Sequence, residues 1–180
     1  MEGHPEEKKV MDTTTSARGQ SKLTGIPAGA HPLDKTFNPK SVAVVGVTNT
    51  PGTVPYDIFY NILATGYKGT VYPVAPGKRS ICAVRAYRYV IDIEDEVDMA
   101  VIVFPADVVE RALEQCGRKG VKSVVVISAG FRETGPEGVR REQRLKDLCA
   151  RYGMALIGPN CLGVINTDPR VQLNASFARK

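Results

Sequence analysis

Short apolar runs alternate along this chain with longer segments whose apolar residues recur at the spacing of a helix. The runs are rich in Val and Ile and predict strands at residues 41–47, 69–74, 99–104, 123–128 and 154–158. Helices are predicted between them at residues 54–65 and 107–119, and a third ends near residue 152. Residues 85–93 fit a short strand followed by a loop or one helical turn. The chain from residue 166 fits one further strand at a sheet edge.

The alternation of strands and helices predicts the fold class. A strand that is buried on both faces has a continuous apolar sequence, which is typical of a parallel sheet covered by helices. Crossovers between parallel strands are right-handed, so helices cover both faces where the strand order reverses. We therefore predict an α/β fold, Rossmann-like and doubly wound, with a mainly parallel sheet and helices on both faces.

Two residue pairs have the spacing of a capping box, in which a side chain before a helix accepts from its first turn. Asp107 and Glu110 stand at the start of one predicted helix, and Thr134 and Glu137 stand before the next. These pairs predict where the two helices begin.

The first 36 residues differ in composition from the rest. They are rich in Thr, Ser, Gly, Pro and charged residues, so they cannot bury enough apolar surface to offset their ordering entropy. We predict a disordered or loosely docked tail at residues 1–36 and one domain at residues 37–180. The only histidines, His4 and His31, lie in this tail, so no His-based catalytic site is expected in the domain and no catalytic residue is assigned.

Composition and charge limit the classes of partner. The chain has 43% hydrophobic and 24% charged residues, which is ordinary for a soluble globular protein. No apolar run reaches the length of a membrane span or a signal peptide, so we expect a cytoplasmic protein without a membrane partner. The net charge of +5 fits an anionic small molecule, whereas scattered cations without an aromatic stacking pattern predict no nucleic-acid binding.

The four cysteines predict neither a metal site nor disulfides. No two of them have CxxC spacing, and the expected compartment is reducing. Cys116 and Cys149 fall on the apolar faces of predicted helices, where we expect buried structural thiols.

The loop after the first predicted strand carries the clearest candidate chemistry. Glycines permit a tight turn and a close approach of the backbone to a ligand, and the following helix directs free amides and its positive dipole end at the loop. Hydroxyl and amide side chains add hydrogen-bonding groups, so the loop predicts a phosphate-binding cradle; a plain strand-to-helix turn is the alternative. The candidate residues are Gly46, Thr48, Asn49, Thr50, Pro51, Gly52 and Thr53.

This loop departs from the dinucleotide fingerprint GxGxxG, because Thr48 stands at its second glycine. The acidic residue that holds the ribose of NAD after the second strand is also missing, and Lys78 lies in that region. A lysine there could pair with a phosphate on the ribose. NAD is thereby disfavoured, while NADP and coenzyme A (CoA) both remain open.

Several longer stretches, in the same order, resemble the N-terminal CoA-binding domain of the NDP-forming acyl-CoA synthetases, which include ADP-forming acetyl-CoA synthetases and the succinyl-CoA synthetase α subunit. The matching stretches are FNPKSVAVVGVT, NILATGYKGTVYPVAP, VDMAVIVFPADVV, CGRKGVKSVVVISAGF, IGPNCLGVINT and LNASFA. They cover the chain from residue 37 to residue 178.

The resemblance implies CoA as the cofactor and assigns contacts to particular positions. Thr48, Asn49, Thr50 and Pro51 match the CoA-contacting loop, and Lys78 matches a basic residue after the second strand. The remaining matches are Phe104, Pro105, Ile127, Ser128 and Ala129, together with the 158–161 loop at the edge facing the rest of the enzyme. Ala129 stands where the succinyl-CoA synthetase pattern has glutamate, so one side-chain contact is lost there. Cys82 and Ala83 replace a residue followed by glycine, which leaves only a turn in question.

The resemblance also implies what lies elsewhere. In this family the reaction passes through an acyl phosphate and a phosphohistidine of the next domain, so this chain alone is expected to bind CoA or acyl-CoA without turnover. Its partners would be the remaining ligase domains or a β-type subunit. A stand-alone or regulatory CoA-binding module is the alternative, and an NADP-dependent oxidoreductase domain is a less favoured one. For Cys161, a small buried thiol is favoured over a reactive one.

Overall fold

A computed structural model describes residues 33–178 together with Met1 and His31, so the predicted tail lies almost wholly outside the described residues. No helix in this part of the chain combines the length and apolarity of a membrane crossing. The elements are, in chain order, α1 (Asp34–Phe37), β1 (Ser41–Val45), α2 (Val54–Ala64), β2 (Thr70–Val74), β3 (Ser80–Ile81), β4 (Val84–Arg85), β5 (Met99–Ile102), α3 (Ala106–Lys119), β6 (Ser123–Val126), α4 (Pro136–Tyr152), β7 (Ala155–Ile157), β8 (Gly163–Asn166) and β9 (Leu173–Ser176). Short 3-10 turns occupy Val90–Asp92 and Arg132–Thr134.

Five strands form one parallel sheet in the order β2-β1-β5-β6-β7. The chain leaves β1 for the edge strand β2, returns to the other side of β1 at β5, and continues outward through β6 and β7. Strand order therefore reverses between β1 and β5, as the doubly wound prediction requires. The predicted α/β fold class is confirmed.

Each face of the sheet has its own hydrophobic core. Ala43 and Val45 of β1 point towards α3 and α4, whereas Val42 and Val44 point towards α2 and the β8–β9 pair. Side chains of a strand alternate between faces, so a wholly buried run such as β1 must be covered on both sides. Helices on both faces are thus confirmed.

The predicted edge strand from residue 166 is wrong. β8 and β9 pair with each other as a separate antiparallel sheet and do not extend the main sheet. Leu173 and Ala175 of β9 are buried in the same hydrophobic core as the apolar residues of α2. Asn61 of α2 donates its amide to Ser176 O at 2.8 Å, which fixes the pair on this face. The apolar pattern was read correctly as strand, but pairing depends on tertiary position.

The capping-box predictions for the two helices are also wrong. α3 begins at Ala106 with Pro105 as its N-cap, so Asp107 lies inside the first turn and cannot cap it. α4 begins at Pro136 after Gly135, and Thr134 instead donates its hydroxyl to Phe131 O at 2.8 Å within a 3-10 turn. Both helices follow a proline or a glycine whose backbone sets the entry to the helix.

The β3–β4 hairpin turns through Cys82 and Ala83, which both have positive φ values of 46° and 64°. Two consecutive residues with positive φ are the requirement of a type I′ turn, which favours Asn-Gly. The turn therefore forms although glycine is missing from it, and both Cys82 and Ala83 adopt the left-handed backbone conformation. For residues 85–93 the sequence left open a loop or one helical turn after a short strand. The structure has a two-residue strand at Val84–Arg85 and a single 3-10 turn at Val90–Asp92.

We expect Ala83→Gly to stabilise the protein by about 1 kcal/mol. Relief of the left-handed backbone gains roughly 1–2 kcal/mol, and the greater freedom of glycine in the unfolded chain offsets part of it. Urea unfolding monitored by circular dichroism measures the change. Gly77→Ala is the opposite control, since Gly77 has φ +80° and no neighbouring atom within 4 Å of an added Cβ. A loss of stability in Ala83→Gly would contradict the strained turn.

Candidate functional site

The carboxyl edge of the sheet has a crevice where the loops after β1 and β5 leave in opposite directions. The chain after β1 passes to α2 on one face, and the chain after β5 passes to α3 on the other. Ligands of doubly wound proteins bind at such a switch point. The predicted loop 46–53 lies on one side of this crevice and Phe104 lies on the other.

Gly46 and Phe104 meet in the crevice. The Gly46 amide donates to Val74 O at 2.9 Å, and its φ of +97° turns the chain out of the sheet. A Cβ on Gly46 would stand 2.8 Å from Cδ1 of Phe104 and 3.1 Å from its backbone nitrogen. Glycine is required here by backbone conformation and by space together.

The hydroxyls of the loop stabilise its shape. Thr53 donates its hydroxyl to Thr50 O at 2.7 Å, so its oxygen is left to accept from the Thr48 hydroxyl at 3.2 Å. Thr48 is half-buried, whereas Thr50 is exposed. These hydrogen bonds hold the loop in one shape, with Thr50 and Pro51 exposed.

Asn49 has a role that the sequence did not reveal. Its side-chain amide donates to Ser80 O at 2.9 Å, and its Oδ1 accepts from the Cys82 amide at 3.1 Å. These two bonds link the loop to the β3–β4 hairpin. The predicted ligand amide is thus largely engaged as a structural bridge, with one N–H left for other partners.

Asn49→Ala is expected to lower the free energy of unfolding by about 1–3 kcal/mol, because two hydrogen bonds between loop and hairpin are lost. Chemical denaturation measures the change. Gln143→Ala is the matched amide control, since Gln143 bonds only to Asp147 along the exposed face of α4 and its loss is expected within about 0.5 kcal/mol. Equal stability of the two variants would show that the bridge contributes nothing.

The amino end of α2 points at the same loop. In the described part of the chain, no acceptor is bonded to the backbone amides of Val54 and Tyr56, and Thr53 gives no side-chain cap. Pro55 lies in the first turn, where its missing amide is tolerated. Unfilled amides and the positive dipole end of a helix favour an anion at this position.

One depression lies beside the amino end of α2 and the open end of the β8–β9 hairpin, next to Leu162 and Phe177. It is called here the hairpin cavity. It has a volume of about 330 Å³. It is lined by Val54, Ile127, Ser128, Ala129, Asn160, Cys161, Leu162 and Phe177. The Ser128 hydroxyl donates to Phe104 O, and the Ser128 carbonyl accepts from the Asn160 backbone amide at 2.9 Å. These two bonds join the chain after β5, the chain after β6 and the 158–162 loop. The predicted residues 127–129 thus line a cavity that is mainly apolar.

Burial favours the protonated thiol at Cys116, Cys149 and Cys161. Cys116 and Cys149 are buried as predicted, and burial raises the pKa of Cys116 to about 12 and that of Cys149 to about 11. Burial also raises the pKa of the Cys161 thiol, which is half-buried and donates to Val126 O at 3.4 Å. A protonated thiol is a poor nucleophile, which supports the structural interpretation of Cys161.

A second depression lies on the α3 side of the crevice and is called here the arginine cavity. Its volume is about 160 Å³. It is lined by Val45, Val74, Pro76, Arg88, Tyr89, Phe104, Val108, Arg111, Ala112 and Gln115. Of these, only Phe104 was predicted. Arg88, Tyr89 and Arg111 were missed, although Val108, Arg111, Ala112 and Gln115 have the spacing of one helical face.

Lys78 stands at the rim of this side of the crevice. Its amide bonds to Ala75 O at 3.1 Å, and Pro76 followed by Gly77 with φ +80° has the features of a type II turn. The Lys78 side chain is exposed and has no ion pair within residues 33–178. The loop, Phe104 and Ser128 are thus brought together, and Lys78 remains at the periphery.

Comparison with known proteins shows what this chain is similar to. The chain is 48% identical over 149 residues to the acetate–CoA ligase [ADP-forming] I subunit alpha of Pyrococcus furiosus, covering 81% of this chain and 32% of that protein. It is 42% identical over 143 residues to the 4-hydroxybutyrate–CoA ligase [ADP-forming] of Nitrosopumilus maritimus, covering 79% of this chain and 20% of the relative. The chain therefore spans about a fifth to a third of the length of these curated relatives.

A solved structure has the same fold. It is the dinucleotide-forming acetyl-coenzyme A synthetase 1 of Ca. Korarchaeum cryptofilum in complex with phosphate and ADP, with a TM-score of 0.76 and 38% identity. The match covers 82% of this chain and 31% of that one. The predicted resemblance to ADP-forming acyl-CoA synthetases, with CoA as the implied cofactor, is confirmed. Residues 40–167 match the family model described as the CoA binding domain, and the chain belongs to that family.

Proposed function

We propose that this chain is the CoA-binding part of an ADP-forming acyl-CoA ligase and that it holds CoA across the carboxyl edge of its sheet. One observation carries the proposal: the 46–53 loop and the amino end of α2 stand between two cavities of different chemistry. A ligand with a charged centre and two unlike ends matches this arrangement. CoA has a diphosphate between a nucleotide and a pantetheine arm.

The diphosphate lies at the loop in this proposal. The amides of Val54 and Tyr56 have no acceptor among the described residues, and Gly52 has φ +79° with no atom within 4 Å of an added Cβ. The open space at Gly52 lets the backbone approach a ligand closely. Thr48, Thr50, Pro51 and the free N–H of Asn49 complete the predicted contacts.

The chemistry of the two cavities favours one direction of the ligand. Residues 75–91 beside the arginine cavity contain four Lys or Arg and no Asp or Glu, whereas Ile127, Leu162 and Phe177 give the hairpin cavity an apolar lining. A nucleotide end with its extra phosphate favours the basic side, and the pantetheine arm favours the apolar side. The thiol would then lie near the 158–162 loop, which the resemblance places facing the rest of the ligase.

The relatives imply the activity of the whole enzyme. Those named above are ADP-forming ligases of acetate and 4-hydroxybutyrate. By the resemblance, the phosphohistidine belongs to a further domain, so this chain binds CoA and other ligase domains or a β-type subunit complete the turnover. We expect no ATP formation when this chain alone is supplied with acetyl-CoA, ADP and phosphate.

Isothermal titration calorimetry tests the proposal. We expect CoA and desulpho-CoA to bind with similar affinity, because the contacts we assign do not involve the thiol, and we expect NADPH to bind more weakly than either. Absence of heat with both CoA and desulpho-CoA would overturn the proposal. Tighter binding of NADPH than of CoA would instead support an oxidoreductase domain.

A further inference from the structure

Between β2 and β5, basic and acidic residues occupy separate stretches of the chain. Residues 75–91, after β2, carry Lys78, Arg79, Arg85 and Arg88 without any carboxylate. The next seven residues, 92–98, carry five carboxylates and lead into the amino end of β5. The basic stretch contains no carboxylate of its own, and its positive charge raises the local concentration of anions at the crevice.

Two arginines of this edge enter the same cavity from different elements. Arg111 extends from α3, and Arg88 extends from the segment after β4. Neither guanidinium has an ion pair with a carboxylate within residues 33–178, and no Asp or Glu lines the cavity. The Arg88 guanidinium lies 5.1 Å from the centroid of the Tyr89 ring, within the range of a cation–π contact.

The floor of this cavity is apolar and the volume is small. Val45, Val74 and Phe104 provide the floor, and about 160 Å³ is room for one planar ring rather than a whole nucleotide. An apolar slot with two cations and no acid fits a base and a phosphate that are joined through a sugar. This is the chemistry of a phosphorylated nucleoside.

We propose that Arg88 and Arg111 recognise the 3′-phosphate of CoA while its adenine occupies the arginine cavity. The inference rests on the proposed function, which places the diphosphate at the 46–53 loop on the other side of Phe104. The phosphate nearest the adenine is then the one on the ribose. Arg binds phosphate through a planar fork of donors, whereas Lys is a compact point charge, so the exposed Lys78 contributes to the field and the two arginines provide the specificity.

Binding of CoA and dephospho-CoA, which lacks only the 3′-phosphate, tests the inference. The variants are Arg88→Gln, Arg111→Gln and their double substitution. The native chain is expected to prefer CoA by at least about tenfold, each single variant to reduce that preference several-fold to about tenfold, and the double variant to abolish it. The dissociation constant for dephospho-CoA should change by less than about threefold, and thermal unfolding should show an intact fold.

Arg85→Gln is the matched control. Arg85 is exposed in the same cationic segment and lies 5.5 Å from the Tyr87 ring centroid, but it does not line the cavity. It should weaken both ligands slightly and leave their ratio unchanged. A ratio lowered equally by Arg85→Gln would show a general field and overturn the inference.

The remaining outcomes separate the two proposals. If the native chain binds CoA but the double variant keeps the preference or weakens both ligands equally, the assignment of the 3′-phosphate to these arginines is wrong and the proposed function stands. If the native chain binds neither ligand, the proposed function fails and the inference fails with it.

Discussion

Gly46→Ala should abolish measurable CoA binding and lower the free energy of unfolding by roughly 2–5 kcal/mol. An L-residue with φ near +97° costs roughly 1–2 kcal/mol, and displacing the Phe104 ring from a Cβ 2.8 Å away costs roughly 1–3 kcal/mol more. Phe104 lines the arginine cavity, and residue 46 begins the loop, so both proposed contact regions move. Calorimetric titration with CoA and urea unfolding measure the two effects.

Gly52→Ala is the control for this prediction. Gly52 also has a positive φ, +79°, but an added Cβ would meet no atom within 4 Å. In urea unfolding it should therefore show only the backbone cost of about 1–2 kcal/mol. If both variants lose equal stability, the contact between residue 46 and Phe104 is not the cause, and the tight crevice described above is contradicted.

The second large effect is expected for Gly158→Ala. Gly158 has φ +92°, and an added Cβ would lie 2.4 Å from Val126 O, a backbone atom at the end of β6 that cannot rotate away. We expect a loss of roughly 2–5 kcal/mol from the strained backbone and the overpacking together. The 158–162 loop would shift, so CoA affinity should fall by about tenfold or more through the hairpin cavity.

Gly153→Ala is the control for Gly158→Ala, because it introduces backbone strain without a steric clash. Gly153 ends α4 in the left-handed region, with φ +65°, and has open space around it. Its substitution should cost about 1–2 kcal/mol and leave CoA binding unchanged. Normal CoA affinity in a folded Gly158→Ala protein would remove the hairpin cavity from the proposed site.

Much of the fold was predictable because its signals are local. The Val-rich runs at β1, β5 and β6 form the buried strands, and the Ile58 and Ile62 spacing forms the buried face of α2. Val54 shares that spacing but is 40% exposed, because the helix begins there at the rim of the hairpin cavity. Periodicity identifies a face of a helix and not where along the helix the core ends.

The wrong predictions concern where two helices begin and which strand β9 pairs with. Asp107 and Thr134 have capping chemistry, yet the chain enters both helices through Pro105 and Gly135. The strand at residues 173–176 pairs with β8, because its apolar residues complete the core beside α2. Neither outcome can be read from residue types alone, since each depends on packing against distant segments.

Some features of the candidate site were also predictable from sequence, and others were not. Residue types and spacing by themselves determined that a glycine loop follows a buried strand and precedes a helix, and the order of matching stretches predicted CoA as the ligand. Only the tertiary structure decided that Asn49 bridges to the β3–β4 hairpin and that Gly46 requires its lack of a side chain because of Phe104. It also brought Arg88 and Arg111 into one cavity, although 22 residues, including a 3-10 turn and β5, separate them in the chain. Local sequence encodes backbone preference and burial period, whereas a binding surface is made from residues that only the packed sheet brings together.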